Sequence, residues 1–265
     1  MSASPIHIEG VDKVFHSAGG ELVALKDIHL EIPAGQFTCL LGPSGCGKST
    51  LLNAIAGFAL PTRGTIRTGA HPVTGPGPER GMVFQEYALF PWMTVEQNVA
   101  FGLEIKGVDK ATIVATVARL LAMLSLGDFR QRYPKDLSGG MRQRVAIARV
   151  LALDSPIMLM DEPFGALDAL TRRNLQDELL RIWAATGKTI IFVTHSIEEA
   201  IYLADRIVVM TYRPGTVKRD VMVDLARLRD PAAPEFNALK RELGQLVMEE
   251  QQRHHNDELR MAAVD

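Results

Sequence analysis

The chain has 265 residues, 47% hydrophobic and 23% charged, a globular balance that excludes a disordered chain and supplies enough apolar material for one large core or two small ones. A formal net charge of −2 gives no electrostatic drive toward nucleic acid or an anionic lipid surface as the main partner. Two cysteines, Cys39 and Cys46, are too few to staple a secreted fold and point to a reducing compartment. The opening MSASPIHIEG lacks the basic and apolar stretches of a signal peptide, and no apolar run reaches the roughly eighteen residues of a membrane span, so neither export nor spanning is expected.

In chain order, alternating apolar positions at Ile6–Val11 and Leu22–Ile32 predict half-buried antiparallel strands with a turn at Gly19-Gly20. QFTCLLG reads as a short buried strand, followed by helical periodicity over Lys48–Ala56. Pro61 to Gly81 is a Gly/Pro-rich connector around one weak strand, and Met82–Phe84 is another buried strand. Between Thr94 and Val150 strand signals vanish, and helices are predicted to start at Thr94, Asp109 and Ser138, all residue types that cap helix N-termini. Strands return at PIMLMD, KTIIFVTH and RIVVM, separated by helices at Asp168–Ala185 and Ile197–Leu203, an alternation that implies a largely parallel sheet. After Pro231, Phe236, Leu239, Leu243, Leu246 and Val247 form a one-sided helical stripe that packs on the domain before a polar, frayed end. His254-His255 in that end is too isolated to argue for a metal site.

GPSGCGKS fits the pattern G-x-x-x-x-G-K-[ST] between a buried strand and a helix, the context in which loop amides cradle phosphates. Amides from Gly45 to Thr50 would wrap the phosphates, Lys48 would neutralise β/γ oxygens and Ser49 would ligate Mg²⁺. IMLMDE delivers Asp161 and Glu162 at a strand tip, where consecutive side chains diverge: one carboxylate can serve Mg²⁺ and the other an attacking water as general base. His195 ends an apolar strand on the edge where parallel sheets place ligands and could bond the γ-phosphate, while Gln85 follows a strand in the same way and could reach the metal or the water. LSGGMRQR, Leu137 to Arg144, is a second anion-competent helix start in a chain that already has one.

In this order, the phosphate loop, Gln85, LSGG, MLMDEP, GALD at Gly165–Asp168 and His195 resemble the ATP-binding-cassette (ABC) ATPases over nearly the whole chain. The resemblance implies an α/β P-loop NTPase (RecA-like) core with an N-terminal antiparallel β subdomain and an inserted all-helical subdomain. The ATPase domain would span 1–230, with core 1–85 and 154–230 and helical subdomain 86–153, ahead of a C-terminal amphipathic helix and tail at 231–265. It implies ATP and Mg²⁺ as ligands. The nucleotide would be held by Phe15 (adenine), Gly42, Pro43, Ser44, Gly45, Cys46, Gly47, Lys48, Ser49 and Thr50, and the metal by Ser49, Gln85 and Asp161. Catalysis would fall to Glu162, His195, Gln85 and Lys48. Cys46 stands at a variable loop position and is given no catalytic role, although its alkylation is expected to block the site. The second anion site is explained if two chains pack head to tail, so that Ser138, Gly139 and Gly140 of one close over the nucleotide of the other and Asp168 links the two sites.

Gly75–Glu104, Asp161–Arg172 and RPG at Arg213–Gly215 further resemble the ATPase subunits of bacterial nitrate, sulfonate and taurine importers. That implies a peripheral protein on the cytoplasmic face of the inner membrane. Its partners would be a second copy of itself, permease subunits and, indirectly, an external solute-binding protein. Tyr87, Phe90 and Trp92 could dock the permease or only pin the helical insert, and Phe15 could stack adenine or sit in the core. A Ser196 stands where relatives often show Asp, with no expected effect on catalysis. Competing readings are a soluble cassette acting on ribosomes or DNA, and a small kinase, which would leave LSGG unexplained.

Overall fold

A computed structural model describes residues 3–17 and 20–262. The elements in chain order are β1 (Ile6–Ser17), β2 (Gly20–Ile32), β3 (Phe37–Leu41), α1 (Lys48–Ala56), β4 (Arg63–Thr68), β5 (His71–Pro72), β6 (Arg80–Val83), α2 (Val95–Ile105), α3 (Lys110–Met123), α4 (Gly139–Ala152), β7 (Ile157–Asp161), α5 (Ala169–Thr186), β8 (Thr189–Thr194), α6 (Ile197–Leu203), β9 (Arg206–Met210), β10 (Val217–Met222) and α7 (Pro234–Ala262). Two compact units result: 4–76 with 189–265, and 1–3 with 77–188.

In the unit formed by 4–76 and 189–265, one antiparallel sheet runs in the order β2-β1-β4-β5, and a second runs β10-β9-β3-β8. In the latter β9, β3 and β8 are parallel, and β10 is antiparallel to β9. β3 is buried at every position, as are all six residues of β8, the signature of strands covered on both faces. β1 is longer than the Ile6–Val11 expected from alternation. Its register against β2 shifts between Ile8 and Val11, where Gly10 has φ +58°, and this irregularity breaks the period-two pattern that alternation relies on. The expected turn at Gly19-Gly20 lies partly outside the described residues, since only Gly20, opening β2, is described. The connector carries two short strands, β4 and β5, rather than one. β10 has no counterpart in the expectations: VKRDVM is an edge strand with no buried residue, so it shows no apolar pattern.

The apolar stripe of α7 buries Phe236, Leu243 and Val247, and α7 packs on α6. Arg229, only 4% exposed, donates to the carbonyls of Ile201, Tyr202 and Ala204 at the end of α6 and to those of Val223 and Leu225. Burial and the neighbouring Arg227 lower its pKa to about 10, so it stays charged at neutral pH.

In the unit built around 77–188, the parallel pair β6 and β7 is joined by α2 to α5. The three predicted caps are in place: Thr94 accepts from Gln97 N in a full capping box, Asp109 from Thr112 N and Ser138 from Met141 N. α4 buries most of its length. Gly140 permits its approach to α5, because a Cβ there would sit 2.6 Å from Thr171 Cγ2.

Candidate functional site

Strand register sets the site in each unit. Leu41 at the end of β3 pairs with Thr194 of β8 and with Val209 of β9, so the loop after β3, His195 and the loop after β9 leave the same sheet edge side by side. Between β3 and α1, Gly47 caps the helix with φ +97° and without any side-chain cap. A Cβ on Gly47 would lie 2.8 Å from Leu25 Cδ2 and 2.9 Å from Ala24 O, so only bare backbone fits. The helix therefore begins on backbone N–H groups with no side-chain acceptor of their own, a cradle suited to an anion. Lys48, 4% exposed, donates to Gly42 O at 2.8 Å and Pro43 O at 2.9 Å and so stands inside the loop. Burial pushes the Cys46 thiol up against the opposing pull of Lys48, and the side chain has no solvent access.

His195 is exposed at the end of β8, and its chain is braced on both sides. Ser196 N donates to Thr194 Oγ1, Thr194 Oγ1 donates to Glu199 Oε2 at 2.5 Å, and Ser196 caps α6 by accepting from Glu199 N. Ser196 thus does the capping that an Asp would do there. Phe15 is not in the core: its ring is 43% exposed, with Lys13 Nζ 5.1 Å from its centroid.

In the other unit, Val83 of β6 pairs with Met160 of β7, so Gln85 and the Asp161-Glu162 pair leave one edge of the parallel pair. Glu162 takes a left-handed backbone, φ +42°, immediately after the strand. The following turn is fastened by Arg172, which donates to Phe164 O and Leu167 O. Asp168 caps α5, and the N–H of Thr171 holds its carboxyl below the usual range. Ser138 is exposed at the start of α4, with Gly139 and Gly140 forming the first bare turn behind it.

After Gln85, Tyr87 and Ala88 also take left-handed conformations. Arg149 of α4 donates to both of their carbonyls and lies 5.6 Å from the Phe90 ring centre. Asn98, fully buried, accepts from Phe90 N and donates to Phe90 O, Met93 O and Thr94 O. Phe90 packs between Trp92 and Phe101, and Trp92 stays 69% exposed. Tyr87 and Phe90 are therefore held within the unit, while Trp92 presents its ring outward. The bracing roles of Asn98, Arg149 and Arg172 were not foreseen. The sequence signal available was a polar side chain on an otherwise apolar helical face, which does not say what it bonds.

A family model described as ABC transporter matches residues 25–165, more than half of the chain. The chain belongs to the ABC transporter family. It is 51% identical to a taurine import ATP-binding protein of Roseobacter denitrificans over 79% of this chain and 78% of that one. It is 48% identical to a nitrate import ATP-binding protein of Synechocystis over 83% of each. Among solved structures it is similar, at 32% identity and a TM-score of 0.74 over 83% of this chain and all of the other, to a dimeric ATP-binding cassette in a post-hydrolysis state bound to ADP and Pi. The fold is that of the P-loop NTPase cassettes, and the ABC protein is an ATP-hydrolysing enzyme of the importer-like branch. Among the described residues, no helix is long and apolar enough to cross a membrane.

Proposed function

We propose that this ABC ATPase is the motor subunit of an importer for a small anionic solute, with taurine or another aliphatic sulfonate favoured and nitrate as the other named possibility. The observation that carries it is a pair of helix starts, one at Gly47 with no side-chain cap and one at Gly139-Gly140 behind the Ser138 cap, in a chain whose relatives import taurine and nitrate. Two chains arranged head to tail use both: Ser138, Gly139 and Gly140 of one close over the phosphates bound at the other's loop, and Asp168 lies at that interface. A dimeric solved relative holding ADP and Pi supports this arrangement.

Within each site Phe15 stacks the adenine, and Gly42, Pro43, Ser44, Gly45, Cys46, Gly47 and Thr50 form the wall of the phosphate cradle. Lys48 leaves its carbonyl partners to neutralise β/γ oxygens. Ser49, Asp161 and Gln85 offer hard oxygen donors for Mg²⁺. Bound Mg²⁺ supplies charge neutralisation on the phosphate oxygens. Glu162 takes a proton from the attacking water as it bonds to the γ-phosphorus and the bond to ADP breaks. His195 holds the γ-phosphate by a hydrogen bond.

The permease docks at the exposed ring of Trp92, beside Tyr87 and Phe90. The protein then works peripherally on the cytoplasmic face of the inner membrane, and an external solute-binding protein delivers the solute. Purification of the tagged chain from its native cell in mild detergent tests this. Recovery of a stoichiometric polytopic membrane protein is expected, whereas recovery with ribosomal proteins, DNA or nothing would replace the importer with a soluble cassette.

A further inference from the structure

The RPG segment, Arg213–Gly215, lies beside the phosphate loop. The loop after β9 carries it out of the same sheet edge as the phosphate loop, because Leu41 and Val209 are paired. There Gly215 N donates to Ala24 O, Lys26 N donates to Gly215 O, and a Cβ on Gly215 would sit 2.3 Å from Cys46 O. The segment therefore lies directly against the backbone of the phosphate loop.

Arg213 Nε donates to Gly45 O at 3.2 Å. A Cβ on Gly45 would lie 3.4 Å from Arg213 Nη2 and 3.9 Å from Tyr212 Cε2, so guanidinium and phenol ring together wall the apex of the loop. Tyr212 is in turn fixed by α7. Its ring stacks on His254 with centroids 4.0 Å apart and planes 10° apart, and its N–H donates to Glu250 Oε2 at 2.9 Å. Glu250 is 1% exposed and is itself bound by Lys218 at 2.7 Å. Contacts thus run without a break from α7 through Tyr212 and Arg213 to Gly45.

We propose that Arg213 is a positioning residue of the phosphate loop, fixing the Gly45 peptide so that the loop amides face the nucleotide, and that α7 sets Arg213 through Tyr212, which makes the C-terminal helix a contributor to nucleotide affinity. This rests on the reading of Gly42–Thr50 as the nucleotide site. Arg213 reaches a loop carbonyl, not a reacting atom, so its loss disturbs the ordering of the loop before binding and leaves the chemical step in place.

The test uses the full chain, with binding of a fluorescent ATP analogue in Mg²⁺ and steady-state ATP hydrolysis as readouts. Arg213→Ala should raise both Kd and KM by about threefold to tenfold, the scale of one charge-assisted hydrogen bond at a partly exposed site, with kcat within about twofold. Arg213→Lys, which keeps a donor, should recover part of the loss. His254→Ala should shift Kd the same way, and the double variant Arg213→Ala/His254→Ala should be no worse than Arg213→Ala alone, because the two act in series. A Kd for Arg213→Ala equal to that of the wild type would overturn the proposal, as would a fall in kcat at constant KM. Lys48→Ala is the control: if wild-type binding is absent or survives this change, the nucleotide-site reading fails and takes the proposal with it.

Discussion

Glu162 sits at φ +42°, a conformation that costs a non-glycine residue on the order of 1–3 kcal/mol and persists only where the surroundings impose it. Its neighbours do so: Asp161 ends a strand, and Arg172 ties the turn behind it through two carbonyls. The strain falls on the backbone of the residue proposed as general base. Phe15 presents a different case, a large aromatic left 43% exposed on a strand. If it stacks the adenine, Phe15→Ala should weaken Mg-ATP binding by about 1–3 kcal/mol, the usual worth of a base on an aromatic ring, with Phe15→Trp retaining affinity. Fold stability should move by less than about 0.5 kcal/mol, since little packing is lost. Calorimetric titration reads the first effect and a urea melt the second; unchanged affinity in Phe15→Ala would remove Phe15 from the site. The sequence alone left Phe15 between core and ligand, because strand alternation does not say which face has a neighbour.

Among the elements, the helix starts were the most legible. Thr94, Asp109 and Ser138 cap their helices as read, since a cap is a bond between residues three apart and depends on little else. The segment between β6 and α2 was legible only as a row of aromatics. Its shape is set by Asn98, buried on α2 and bonded four times to backbone up to eight residues away, and by Arg149, reaching back about sixty positions from α4. No local pattern encodes such reach. Asn98→Ala removes an acceptor and a donor from buried backbone groups and should cost about 2–4 kcal/mol of stability in denaturant unfolding, with faster proteolysis within 86–93. A loss below about 0.5 kcal/mol would mean that the segment holds its shape without Asn98. β10 escaped notice for the opposite reason, as an edge strand whose exposed face leaves no apolar period to detect.

At the scale of the molecule, the order of motifs told more than any single motif. A phosphate loop admits many NTPases, and an apolar strand ending in Asp-Glu is common. LSGG between them is what identified the family, and the match over residues 25–165 agrees. Beyond sequence reach were the contacts that join α7 to the phosphate loop, since the bond from Arg213 to Gly45 crosses 168 positions and Tyr212 meets α7 through a stacked ring and a backbone bond to a carboxylate 38 positions away. The proposed motor is an ATP-bound dimer that Glu162 then commits to hydrolysis. The most direct measurement is sedimentation of Glu162→Gln with Mg-ATP, alongside its turnover. The expected result is a stable dimer that retains ATP and hydrolyses it more slowly by about a hundredfold or more, the typical contribution of a general base. A monomer under saturating Mg-ATP, or turnover close to that of the wild type, would contradict it.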